Sequence, residues 1–317
     1  MTHKELYLAF CEQESQLPLF FQPWWLDAVC AGRQWEVLLS FDKEGRVQAV
    51  MPYMLCSTLR LKYIQMPPQT PVQGIWIRQD KQVSLDAWRE VCNDFSAQLA
   101  QLGLAYFSQQ FPTGSACAIP LRDNGFKVKE QFTYLLDDNA DLDKTLDSFS
   151  KNIKRQLQKS LTLHIDNTMQ PEDFFRFCQD CFSQKNKTIP YTREFFLVLQ
   201  KKAERTDQCA ILRVQNMDNE TLAAVFLVWD KQTMYFLLPC ISPVHTDTGA
   251  GALLVWETIK FAHQKKLQLD FVESSKKPIV SYKQFGAQPH ARYLVSKYYK
   301  GVFRLINFFR WFRDIGR

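Results

Sequence analysis

Apolar runs separated by short polar turns recur along the chain in one order, used twice. In the first half, apolar segments 35–41 and 47–53 flank Asp42-Lys43-Glu44-Gly45-Arg46, which predicts a β-hairpin. A third strand is expected near 61–66, running into Pro67-Pro68-Gln69-Thr70-Pro71, a stretch that must be irregular. Helical spacing predicts a long helix over 85–102, ended by Gly103, and a short helix over 23–30 with proline in its first turn. A strand at 104–109, a short helix near 117–124 and a strand at 126–136 complete the half. The second half predicts helices near 147–160, 171–184 and 192–205, then strands at 209–214, 222–229 and 234–239. A loop over 241–248 leads into a helix over 249–265, a strand at 267–272, a short helix near 277–284 and a strand at 292–297.

Each half therefore reads helix, three meandering strands, long helix, strand, short helix, strand. Three antiparallel strands feeding a helical crossover imply a mixed sheet with helices against it, so the expected class is α/β with α+β-type mixed sheets. The expected domains are 1–145 and 146–299, followed by a basic, aromatic helix over 300–317 that packs back on the body. By helical angle Val302, Leu305, Phe308, Phe309, Phe312 and Ile315 share a face of that helix, with Phe303 and Trp311 on the polar side. The alternative use of residues 302–317 is peripheral contact with an anionic membrane surface.

Composition narrows the function. Of a formal charge of +6, nearly all comes from residues 297–317, which hold six basic residues against Asp314. A near-neutral body with a basic tail is not a broad phosphate-neutralising surface. The start of the chain lacks an export leader, and no apolar run reaches the roughly 18 residues of a membrane span, so a cytoplasmic location is expected, with the inner membrane face as an alternative. The nine cysteines show no framework spacing and are expected as reduced thiols. Cys178 and Cys181 share a Phe-rich helix without a second ligand pair, and the five histidines show no ligand spacing, so no metal site is expected.

Candidate chemistry concentrates in the second half. Asp247, Thr248, Gly249, Ala250, Gly251 and Ala252 open a helix, where free amides can hold the phosphates of an acyl donor and small residues permit close approach. The same residues equally suit a capped helix start with small packing positions. The matching place in the first half, 67–74, carries three prolines and is not expected to cradle an anion. Lys151, Lys154 and Arg155 lie on the polar side of a helix striped by Phe149, Ile153 and Leu157. They form either a solvated face or a contact for an anionic substrate. Glu273, just past a strand end, is a candidate general base; Tyr282 and Lys283 are candidates for the oxyanion or leaving group.

The segments 150–159, 248–257, Leu269-Asp270-Phe271 and Phe285-Gly286, with the early Phe21-Gln22-Pro23-Trp24-Trp25 and Met66-Pro67-Pro68-Gln69-Thr70-Pro71, resemble the Fem-like (FemAB-type) branch of the GNAT acyltransferase superfamily. That resemblance implies tandem GNAT-like domains, the first degenerate and on the acceptor side, the second on the donor side. It also implies transfer of an activated acyl group, from aminoacyl-tRNA or from acetyl-CoA or another acyl-CoA, to an amine. The acceptor would be a peptidoglycan precursor or another small molecule, and no tightly bound cofactor is implied. The family's Asp-Phe-x-Gly is here Asp270-Phe271-Val272-Glu273, and Lys283 lies one residue closer to Phe285 than in the family pattern. A different class, a GNAT-fold scaffold without activity, is the alternative.

Overall fold

The computed structural model describes residues 1–30, 32–78, 84–137, 141–272 and 282–306. Its elements run α1 (His3–Gln13), a 3-10 turn (Leu19–Phe21), α2 (Pro23–Val29), β1 (Trp35–Phe41), β2 (Val47–Thr58), β3 (Leu61–Gln65), β4 (Trp76–Ile77), α3 (Leu85–Gln101), β5 (Tyr106–Phe111), α4 (Ala118–Asp123) and β6 (Lys127–Leu136). They continue with α5 (Leu142–Ser148), α6 (Lys151–Lys159), β7 (His164–Asp166), α7 (Pro171–Gln184), α8 (Arg193–Arg205), β8 (Cys209–Gln215), β9 (Thr221–Trp229) and β10 (Thr233–Ile241). After a 3-10 turn (Pro243–Thr248) come α9 (Ala250–Gln264), β11 (Gln268–Asp270), a 3-10 turn (Tyr282–Phe285) and β12 (Gln288–Tyr298). The class is the mixed α/β arrangement expected from the pattern.

Two compact units result, Met1–Gln131 with Ala291–Arg317, and Phe132–His290. The sequence pattern puts the cuts after 145 and after 299; the difference comes from an exchange of closing strands. Two self-contained repeats would close the first sheet with β6 and the second with β12. Instead β12 lies antiparallel on β5, with Tyr293 opposite Phe111 and Tyr298 opposite Tyr106, while β6 lies antiparallel on β11, with Leu135 opposite Asp270. Each unit borrows its last strand from the other half of the sequence.

In the first unit, α3 lays Val91, Phe95 and Leu99 on Met51, Ile64, Phe107 and Phe111 of the sheet. Helix α1 is absent from the pattern-based reading, although Thr2-His3-Lys4-Glu5 spells a capping box: Thr2 accepts from the Glu5 amide and Glu5 accepts from the Thr2 amide. The two aromatic and proline-rich segments meet, the Trp25 indole donating to Thr70 Oγ1 at 3.0 Å. Of the C-terminal helix, residues 302–306 are described, and 307–317 lie outside the described residues. Here the structure corrects the assigned apolar face. Phe303 is the buried residue, packed on Tyr63 and Tyr106 at 5.1 and 5.4 Å, while Val302 and Leu305 are exposed.

In the second unit, β9 is buried along nearly its whole length between β8 and β10. The helix expected over 147–160 is two helices, broken where Ser150 caps α6 by accepting from the Ile153 amide. Cys178 and Cys181 of α7 meet Cys240 of β10. Hydrogen bonding to Cys178 first, with burial, pushes the Cys240 thiol up to about 12, and the bond with Cys240, then burial, pushes Cys181 above the thiol range. Cys181 and Cys240 are thus packing thiols held in the protonated form. Among the described residues no helix is long and apolar enough to cross a membrane.

The β2–β3 hairpin turns on Leu59 and Arg60, both with positive φ, at 47° and 62°. A turn of that kind favours Asn-Gly. Leu59→Asn with Arg60→Gly is therefore expected to stabilise the protein by about 1–2 kcal/mol, read as a higher urea midpoint with unchanged slope; an unaltered or lower midpoint contradicts the turn.

Candidate functional site

The first turn of α9 is reached through the 3-10 turn that ends β10. Thr248 Oγ1 donates to the His245 carbonyl and accepts from the Ala250 amide, so it satisfies the first helical amide, while the N-cap position itself is Gly249. Gly249 has φ of +80°, a conformation that favours glycine, and a second constraint acts on the same atom. A Cβ built on Gly249 would stand 2.1 Å from the Gln156 carbonyl oxygen of α6, and one on Gly251 would stand 2.9 Å from Ile241 Cδ1. The small residues at this helix start thus let α6 and the end of β10 come close. Gly249, Ala250 and Ala252 are buried, Thr248 and Gly251 are half-buried, and Asp247 is exposed.

Helix α6 is held at its other end as well. The Ser150 amide and hydroxyl donate to the Gln284 backbone and side-chain oxygens, both at 3.0 Å. The Phe149 ring stands edge-on to Trp256 of α9 at 5.4 Å and to Phe285 at 5.2 Å. A Cβ on Gly286 would meet Ser148 Oγ at 2.5 Å. Three segments far apart in the chain, 148–160, 249–256 and 282–286, therefore form one packed body. The basic ridge lies outside it: Lys151 and Arg155 are exposed and Lys154 is half-buried. Lys154 Nζ donates to the Asp147 carbonyl at 2.8 Å, and Arg155 donates to Asn152 at 3.1 Å.

Beside this body, β10 and β11 run parallel only from Thr233 opposite Gln268 to Tyr235 opposite Asp270. Beyond that point β10 continues along β9 with a bulge at Leu237, and β11 ends. Aromatic rings sit beside the parting strands. Tyr282 stacks on Phe271 with centroids 4.2 Å apart and planes at 12°, and Phe236 stands edge-on to both at 5.9 and 5.7 Å. Asp270, a buried carboxylate in an apolar strand, accepts from Thr133 Oγ1 at 2.6 Å and from the Val272 amide at 2.7 Å. That last bond bends the chain through Val272, whose φ is +56°. A β-branched residue there is strained, and strain of this kind gathers at functional sites. In the first unit the gap between β3 and β5 is filled by the chain itself, the Gln73 amide donating to the Gln110 carbonyl at 2.7 Å.

Of the residues singled out from sequence, Tyr282 lies in the aromatic group and Lys283 is exposed on the same 3-10 turn. Glu273 lies outside the described residues. Asp270 enters the sequence pattern only within Leu269-Asp270-Phe271; its signal is a lone carboxylate in an apolar strand.

Residues 133–284 match the acetyltransferase (GNAT) domain family, so the second unit carries a GNAT domain. No curated protein sequence matches the chain. Among solved structures, FemX is similar with a TM-score of 0.67 at 12% identity, over 93% of this chain and 96% of that one. L-PGS from Bacillus licheniformis is similar at 0.54 and 14%, over 99% and 96%. A tandem GNAT protein from the clavulanic acid biosynthesis pathway is similar at 0.53 and 9%, over 93% of each chain. These likenesses are of fold: the chain is similar in fold to FemX and to that tandem GNAT protein.

Two substitutions test the geometry. Gly249→Ala is expected to cost about 3 kcal/mol through its backbone clash and positive φ, and Val272→Gly to gain about 1 kcal/mol by releasing strain. Urea unfolding of both variants reads these shifts; a Gly249→Ala protein as stable as the parent contradicts the approach of α6.

Proposed function

We propose that this chain is an acyltransferase that takes an aminoacyl group from an RNA ester and joins it to an amine, as the Fem-like resemblance implies for a cell-wall precursor. The observation that carries the choice of donor is the Gln156 carbonyl pressed on Gly249. A coenzyme A pyrophosphate needs room and exposed amides at a helix start. Here that place is occupied by backbone of α6, and a carbonyl oxygen near its C-terminal end brings partial negative charge. The outer side of the same helix carries Lys151, Lys154 and Arg155, which suit the phosphates of a nucleic acid backbone.

In this reading the acceptor amine attacks the ester carbonyl, the new C–N bond forms, and the C–O bond to the ribose breaks. The amine proton leaves to a base, for which Glu273 is the candidate. The developing oxyanion is stabilised, and the departing ribose oxygen protonated, from the side of Tyr282 and Lys283. Asp270, held by Thr133, accepts from the amide of Val272, the residue before Glu273. Contact with the inner membrane face through 302–317 would suit a lipid-linked acceptor.

The test is a transfer assay with a mixed aminoacyl-tRNA pool and amine acceptors, run beside calorimetric titration with acetyl-CoA. Transfer from tRNA without saturable acetyl-CoA binding is expected, and Lys151→Glu with Arg155→Glu should weaken tRNA binding about tenfold or more and flatten its salt dependence. Micromolar acetyl-CoA binding with no tRNA binding would overturn the choice of donor; the absence of either would favour a scaffold.

A further inference from the structure

A groove of about 490 Å³ opens between α5, α6 and α9 in the second unit. Its walls are Leu146, Leu157, Leu161, Leu163, Leu253 and Trp256, with Asp147, Lys154, Gln158, Ser160 and Glu257 on its polar side. Five of the six apolar residues are half-buried and pack their inner sides against the core, while Leu161 is 78% exposed. So much apolar surface gathered in one recess, at a size within the range of small-ligand sites, marks a place where a ligand excludes water.

The polar groups decide what kind of ligand fits. Gln158 is exposed on α6, one residue beyond Leu157, and carries an amide that can donate and accept at once. That pairing matches the adjacent amino group and ring nitrogen of adenine. The Lys154 ammonium, which donates to the Asp147 carbonyl and stands 4.0 Å from the Asp147 carboxylate, can turn to a phosphate, and the exposed Lys151 and Arg155 extend the positive charge along the same helix. Leucine walls with one indole accept the flat faces of a base. A fatty chain would use the leucines and leave the amide and the ridge without a role.

We propose that this groove binds the phosphorylated adenosine of the acyl donor, base among the leucines and Trp256, hydrogen-bonding edge on Gln158, phosphate toward Lys154. This rests on the acyl-transfer reading above and names the donor fragment that the second unit holds. Both donor chemistries end in adenosine: the 3′ end of a tRNA, and coenzyme A.

The experiment titrates the full chain by calorimetry with AMP, with a CCA trinucleotide, with 3′-phosphoadenosine 5′-diphosphate and with GMP. It is repeated on Leu161→Glu, which places a carboxylate at an exposed position in the groove, and on Gln158→Ala. Adenine ligands should bind in preference to GMP. Leu161→Glu should weaken them at least tenfold without shifting the melting temperature, and Gln158→Ala should erase the preference over GMP. Tighter binding of CCA assigns an RNA source, and tighter binding of the phosphoadenosine assigns coenzyme A; either supports the groove. Adenine ligands that fail to bind at millimolar concentration, or bind Leu161→Glu unchanged, overturn it, as does displacement of bound AMP by GMP at equal concentration. Should Leu161→Glu leave tRNA-dependent transfer intact while Lys151→Glu with Arg155→Glu lowers it, the groove proposal fails and the transfer function stands.

Discussion

The second unit depends on one close approach, that of the α6 backbone to Gly249. Two demands coincide there, a left-handed turn between β10 and α9 and the absence of a side chain. With both met, α6 is fastened at its far end by a carbonyl-to-glycine contact and at its near end by Ser150, Phe149 and Gln284. Phe149 then bridges α9 and the turn at 282–285. The residues that read as separate motifs along the chain are thus the fastenings of a single helix.

That arrangement gives α6 two faces with different work. Its inner side carries Phe149 just before it and Ile153 and completes a core with Val255, Leu254 and Phe285. Its outer side keeps cations in water. Helix α6, laid over the start of α9, fills the space in front of Gly249. A fold leaves a site's chemistry to what is laid upon it.

Much of this was legible in the chain. Strands 222–229 and 234–239 announced themselves because each is a continuous apolar run, strand 35–41 because it is largely apolar and ends at a polar turn, and the long helices because their apolar positions recur at helical spacing. What stayed hidden depended on partners distant in sequence. The β2–β3 turn carries Leu59-Arg60, which gives no turn signal, and tertiary pairing imposes the left-handed backbone regardless. Gly249 and Gly251 read as places where a ligand comes close or as packing positions; the groups that come close are the Gln156 carbonyl of α6 and the Ile241 side chain of β10. Phe303 read as a polar-side residue by helical angle, yet the aromatic rings of Tyr63 and Tyr106 provide the surface it needs. Cys240 lies some sixty residues from Cys178 and Cys181, so only the packing of α7 on β10 could bring the three thiols together.

The exchanged closing strands have a consequence for biosynthesis. As the chain leaves the ribosome, β5 waits for β12, about 180 residues later, before it acquires that neighbour. The first unit therefore cannot finish ahead of the second, as sequential domains do. Until the last strand emerges, β5 presents an unfilled edge, a template for strands of other nascent chains. Synthesis of the two halves as separate polypeptides would leave each without its final strand. The two units are joined in time as well as in sequence.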